Sequence, residues 1–489
     1  MGKAEYGAIN NAEVVKKSTT VNIEANSDIS CEVRDVLSLQ SSCVTTGYEC
    51  LDGEIKFSGR IIFNVVYLLE GEIRRKELGV DFSDSMQADC QASDKATLSF
   101  NVENVSCEKN DRIKIVAQIT AKAEVERCKT KQLLTGGDGY YFNKKTVTLT
   151  EQKCCTERSF TLDDEFECGQ IKNVLSTYAQ GVITSCQCGI NTVICDGEII
   201  LTIALLPINE KSDIIKEYRV IPFRLELEGD GVNVDDVSFA SVTVGKTALK
   251  VFVDEGKEKS TISSQISISL RAKVYETKEL VFVDDLFSTE KELSIAKEKV
   301  EIKKVKGENY ACEKTRGKAF CEVMENARLI TCLDDRVYGV TFKKDKNKIL
   351  ADGVLSCYCL FEVNNQTVSK LAEMPFSVAF DCDDNIENCY CITKGINAKL
   401  RNGEVELESE IAINYERSVK ESFVAVTAME EDKDLPKCDS AFSVYIPDRN
   451  DGLWEICKAL KVSPDTVTEQ NDVTFPLKEN QKIIVYRRI

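Results

Sequence analysis

VICDGEIILTIALLPINEKSDIIKEYRVIPFR, residues 193–224, sets an apolar pair and a polar pair ending in Gly197 ahead of an apolar strand. A polar turn follows, then a second strand closing on Phe223. The same order recurs in IKFSGRIIFNVVYLLEGEIRRKELGVDFS (55–83) and ILADGVLSCYCLFEVNNQTVSKLAEMPFS (349–377). Gly59, Gly197 and Gly353 precede Phe82, Phe223 and Phe376 by 23, 26 and 23 residues, and the glycines lie 138 and 156 residues apart. Three tandem copies of one β-domain explain this most economically. A glycine inside a strand weakens it, so its recurrence is read here as a bulge in each copy.

The surroundings repeat as well. Val36 and Val174 each lie 23 residues before their glycine. Downstream come alternating strands, and Arg401-Asn402-Gly403 is a hairpin signal because Asn-Gly suits the positive φ of a type I′ turn. The expected fold is mainly β: three antiparallel sandwich or barrel-like domains at 15–145, 146–290 and 291–428. An N-terminal tail (1–14) precedes them, a linker (429–441) follows, and residues 442–489 form a small α+β module. Borders between copies are expected within Gln132–Lys145 and Leu286–Glu301.

Composition removes several function classes. A net charge of -18 and the absence of a long basic run disfavour nucleic acid and anionic lipid. No stretch approaches the roughly 18 apolar residues of a membrane span, and the N-terminus lacks a secretory apolar core, so a cytoplasmic location is expected. The chain has no histidine. That removes the commonest general base and every Ser-His or Cys-His arrangement. With no phosphate-binding glycine motif either, the chain reads as a non-enzyme without cofactor. Its 22 cysteines include no C-x-x-C pair, so no metal site is expected. Many stand two apart in apolar runs, as at Cys186/Cys188 and Cys357/Cys359, which puts both on one face of a strand. They read as reduced, small hydrophobic residues, with oxidative cross-linking as the alternative.

The C-terminal stretch, AFSVYIPDRNDGLWEICKALKVSPDTVTEQNDVTFPLKENQKIIVYRRI (441–489), is built differently. A strand (442–446) leads to Asp451-Gly452, where Asp451 caps a helix with the apolar face Leu453, Ile456, Cys457 and Leu460. Ser463-Pro464-Asp465 starts a second helix, and residues 482–486 close with a strand. Trp454, the single tryptophan, reads as a core anchor or as an exposed contact.

This strand-helix-helix-strand order resembles the LysM family through Val444, Asp451, Leu453, Trp454, Ile456, Asn471 and the 483–485 strand. Asn450 and Asn480 stand where the family has glycine, and Gly452 where it has threonine. Asn tolerates the left-handed backbone region, so the fold survives these departures, but the sugar groove of the family is altered. The resemblance implies a groove of Asn450, Asp451, Gly452, Trp454, Asn471 and Asn480, turned from N-acetylglucosamine polymers toward protein. Three repeats, the second and third with D-G-[EV] and I-P-F or M-P-F closures and the first with Ser58-Gly59-Arg60 and the proline-less Val80-Asp81-Phe82, stand ahead of such a module and resemble the SipL-like family of spore coat morphogenetic proteins. That implies an adaptor in the mother-cell cytosol at the forespore surface, holding a coat morphogenetic ATPase through the module and other coat proteins through the repeats. Peptidoglycan binding and self-association into coat or filament structures are the alternatives.

Overall fold

The computed structural model describes residues 3–30, 35–92, 94–109, 112–209, 213–254, 259–436, 441–448, 451–475, 477 and 481–486. Six strands come first: β1 (Lys3–Ser30), β2 (Asp35–Leu51), β3 (Glu54–Leu69), β4 (Glu72–Gln87), β5 (Lys95–Lys109) and β6 (Arg112–Asp138). They form two antiparallel sheets of order β1-β6-β5 and β2-β3-β4. The next six are β7 (Tyr141–Gly169), β8 (Ile171–Cys188), β9 (Thr192–Pro207), β10 (Ile215–Glu228), β11 (Val237–Asp254) and β12 (Lys259–Phe287). Their sheets are β7-β12-β11 and β8-β9-β10, the same orders again. So are β13-β18-β17 and β14-β15-β16, built from β13 (Lys291–Lys318), β14 (Arg328–Asp345), β15 (Lys348–Val363), β16 (Gln366–Asp381), β17 (Asn385–Arg401) and β18 (Glu404–Asp434).

Turn chemistry sets the registers. Asn402-Gly403, with φ of 51° and 78°, joins β17 to β18 in two residues, and Glu70-Gly71, with φ of 54° and 82°, does the same for β3 and β4. These are the positive values of a type I′ turn, whose twist matches that of the strands.

The repeated glycines do not sit in bulges of their own hairpins. Gly59, Gly197 and Gly353 pair directly with Phe82, Phe223 and Phe376 in uninterrupted ladders. The irregularity lies on the neighbouring strand, between Thr45 and Gly47, Ile183 and Ser185, and Tyr338 and Thr341. What needs glycine is the aromatic ring across the strand. A Cβ on Gly59 would stand 2.5 Å from Phe82 Cζ and one on Gly353 2.8 Å from Phe376 Cζ; Phe223 covers Gly197 in the same way. The ring shields backbone that glycine leaves bare.

Two expected boundaries change. Residues 3–14, expected as a tail, are strand and pair with 126–138 on β6. The expected linker begins as strand too, because β18 runs to Asp434, where it pairs with Lys291. Both segments extend a long antiparallel pair of strands as a two-stranded ribbon, with Ile9 in the cluster of Leu133 and Met429 packed beside Leu134.

Within each set the two sheets enclose an apolar core, centred on Ile61, Phe63 and Ile115 in the first, Leu201, Ile203 and Ile268 in the second, and Cys357, Phe361 and Ile413 in the third. A further cluster joins all three sets through Leu37 and Val66, Leu175 and Ala204, and Leu333 and Leu360. These positions correspond: Val66, Ala204 and Leu360 each lie 7 residues after the repeated glycine. The ribbon ends meet likewise through Leu133, Phe282 and Val300.

The last elements are β19 (Phe442–Tyr445), α1 (Leu453–Leu460), α2 (Pro464–Gln470) and β20 (Ile483–Tyr486), with β19 and β20 antiparallel. Ile456, Cys457, Val467, Ile483 and Val485 are their buried core.

The glycine-aromatic pairing is testable. A Cβ at Gly197 would also meet Val182 O at 2.6 Å, which is backbone and cannot swing away. Gly197→Ala is expected to destabilise by about 1–3 kcal/mol in chemical denaturation. Gly169→Ala, where a Cβ meets nothing within 4 Å, is expected to be neutral or slightly stabilising.

Candidate interaction site

The C-terminal elements rest on the end of the β7-β12 ribbon. Tyr141 and Phe287, paired at its tip, stack with ring centroids 5.1 Å apart, and Trp454 sets its edge against Phe287, also at 5.1 Å. Trp454 Nε1 donates to Asp285 Oδ2 at 2.9 Å, and Lys458 Nζ donates to the same oxygen at 2.6 Å. Lys297 Nζ reaches Asp285 Oδ1 at 3.0 Å. Partial burial pushes the Asp285 carboxyl up, but the donors Lys458, Trp454 and Lys297 outweigh it and hold the group at about 2. Trp454 is therefore an anchor, and what it anchors is the module to the body.

The other predicted groove residues are used locally. Asp451 does not cap α1; its Oδ2 accepts from Asp448 N–H at 2.8 Å and Tyr445 OH at 2.9 Å. Gly452 is the capping residue, and its N–H donates to Glu455 Oε2 at 2.9 Å. Ser463 caps α2 as expected, accepting from Thr466 N–H at 3.1 Å. Asn471 locks α2 to β20: Nδ2 donates to Val467 O and Ile484 O, and Oδ1 accepts from Ile484 N–H at 2.8 Å. Asn450 and Asn480 lie outside the described residues. Asp451, Gly452, Trp454 and Asn471 therefore do not converge on one open groove. Gly59, Gly197 and Gly353 with their phenylalanines lie in the body as sheet pairs.

The open surface of the module is elsewhere. Phe442 pairs with Tyr486 and Val444 with Ile484 on the outer face of the β19-β20 sheet. Phe442, Val444, Ile446 and Tyr486 are 56%, 48%, 66% and 62% exposed, a contiguous apolar face rather than scattered residues. The alternation in FSVYI carried the signal, since apolar residues occupy both of its phases.

Strongly perturbed groups also cluster inside the body. Lys216 Nζ donates to Asp335 Oδ1 at 2.6 Å and Ile396 O at 3.1 Å, while Asp335 Oδ2 accepts from Tyr218 OH at 2.7 Å and Ile396 N–H at 2.8 Å. Burial acts to lower the Lys216 ammonium, but Asp335 above all drives it well above its ordinary value. With Lys216 and Asp335 side chains 7% and 1% exposed and their donors matched, this is an internal junction without substrate access. Among the described residues, no group of three or more His, Cys, Asp or Glu is placed to hold a metal ion, and no helix is long and apolar enough to cross a membrane. No protein-family model matches the chain, and no curated protein or solved structure does either.

The single tryptophan reports on the seat. Asp285 has a folded value below its ordinary 3.8, so its contribution is fully present above that pH and is lost as pH falls through about 2. Trp454 emission is expected to stay blue-shifted down to about that range in wild type. In Lys458→Met, which removes one of the three donors, the red shift is expected at higher pH; emission that moves identically in both proteins would contradict the assignment.

Proposed function

We propose that this chain is a non-catalytic adaptor of the SipL-like spore coat morphogenetic type, with three tandem β-domains and a C-terminal LysM-like module. The carrying observation is the division of labour within that module. Asp451, Trp454 and Asn471 are consumed by contacts inside the chain, while Phe442, Val444, Ile446 and Tyr486 face solvent. A sugar polymer is recognised by open hydrogen-bonding groups beside a stacking aromatic, and here those groups are already engaged. An exposed apolar sheet face flanked by aromatic residues suits a protein partner, for which aromatic residues are the usual binding hot spots.

In this reading the partner at the β19-β20 face is the coat morphogenetic ATPase. The β-domains offer further surface to other coat proteins, so that several weak contacts add in avidity. Work in the mother-cell cytosol, at the forespore surface, is part of the same proposal.

The test is a binding titration of purified coat ATPase against the full chain. Phe442→Ser combined with Tyr486→Ser is expected to weaken binding by about thirtyfold or more, as for loss of an aromatic hot spot. Unchanged affinity in a variant whose Trp454 emission is native would overturn the assignment of this face. Saturable binding of N-acetylglucosamine oligomers would favour the peptidoglycan reading instead, and filaments formed by the purified chain alone would favour the structural one.

A further inference from the structure

The described cysteines are free thiols, and one pair has the geometry to react with itself. Cys186 on β8 and Cys195 on β9 are direct cross-strand partners, and their sulfurs stand 3.8 Å apart. Directly opposed antiparallel residues hold their Cα atoms about 4.5 or 5.5 Å apart. A disulfide spans Cα separations of about 4.4–6.8 Å, so side-chain rotation suffices to close the bond without moving the strands.

We propose that Cys186–Cys195 is a modification site where a peroxide forms an intrachain disulfide, with Cys186 attacking and Cys195 resolving.

Exposure assigns the roles: Cys186 is half-buried, whereas Cys195 is 0% exposed. The Cys195 thiol and burial push the Cys186 thiol up, so it is the cross-strand register that favours the bond. Cys332 and Cys359 are cross-strand partners too. At 3% and 0% exposure, though, they offer an oxidant no entry.

The chemistry balances. The Cys186 sulfur attacks one peroxide oxygen. As the S–O bond forms and the O–O bond breaks, the departing oxygen takes the Cys186 proton and leaves as water. Cys195 sulfur then attacks Cys186 Sγ; the S–S bond forms, the S–O bond breaks, and hydroxide leaves with the Cys195 proton as a second water. Two thiols are oxidised and one peroxide is reduced to two waters.

The test uses the reduced full chain, treated with one equivalent of hydrogen peroxide, alkylated, and mapped without reduction. The expected main product is a linked peptide joining Cys186 to Cys195 that dithiothreitol reverses. In Cys195→Ala, Cys186 is expected to stop at a sulfenic acid trapped by dimedone. In Cys186→Ala, Cys195 is expected to remain alkylatable. Disulfides mapped mainly elsewhere, or Cys186 left fully alkylatable after other thiols have oxidised, would overturn the site.

Discussion

Burial on both faces of β3, β9 and β15 is the constraint on which the rest of the structure depends. Each is the middle strand of its sheet, bonded on both sides. One face of each closes its own core, with Phe63, Leu201 or Leu355 among the residues. The other face delivers Val66, Ala204 or Leu360 to the shared centre. A strand with one wet face alternates; a strand buried on both faces is apolar along most of its length. The runs IIFNVVYLL, IILTIALLP and VLSCYCLF are nearly continuous for this reason. A polar residue on either face needs a partner inside the molecule, as Asn64 has in Leu175 O.

This explains what was legible in the chain and what was not. The glycine-phenylalanine spacing, the Asn402-Gly403 turn, the Ser463 cap and the apolar face of α1 are local, and local chemistry decides them. A mid-strand glycine signals either a bulge or a close approach, and each repeated glycine has both: the bulge on the strand to one side and the phenylalanine ring on the strand to the other. The ribbon segments 3–14 and 429–434 were not legible because their partners, 126–138 and 291–295, are remote in sequence, and their few buried apolar residues, such as Ile9, pack against those distant strands. Asp285 and Trp454 are 169 residues apart in sequence, and no pattern within either segment announces their contact.

Three sets of the same topology around one apolar centre raise a problem of specificity, since non-directional burial does not distinguish neighbours. Polar contacts differ from junction to junction. Asn64 donates to Leu175 O between the first and second sets. Lys216 and Tyr218 meet Asp335, and Arg328 meets Asp213, between the second and third. Arg336 donates to Leu39 O and Ser369 to Leu37 O between the third and first. A buried pair such as Lys216–Asp335 adds little net stability over an apolar replacement, but leaving one member unpaired is costly. Its effect is to penalise every arrangement other than the one seen.

The same reasoning accounts for where the C-terminal elements sit. The three ribbons end in the pairs Lys3–Asp138, Tyr141–Phe287 and Lys291–Asp434. Two of the tips are charged and remain satisfied in water. The middle one is aromatic, and stacking Tyr141 on Phe287 leaves ring surface that Trp454 covers. The chain leaves β18 at a charged tip and crosses to the aromatic one, where Asp285 supplies the acceptor that the buried indole N–H needs. Seating the module through α1 commits its Trp454 side inward. The β19-β20 sheet lies on the opposite side of the core formed by Ile456, Val467, Ile483 and Val485, so its outer face is left to solvent. The position of the open face thus follows from which ribbon tip carries the aromatic pair.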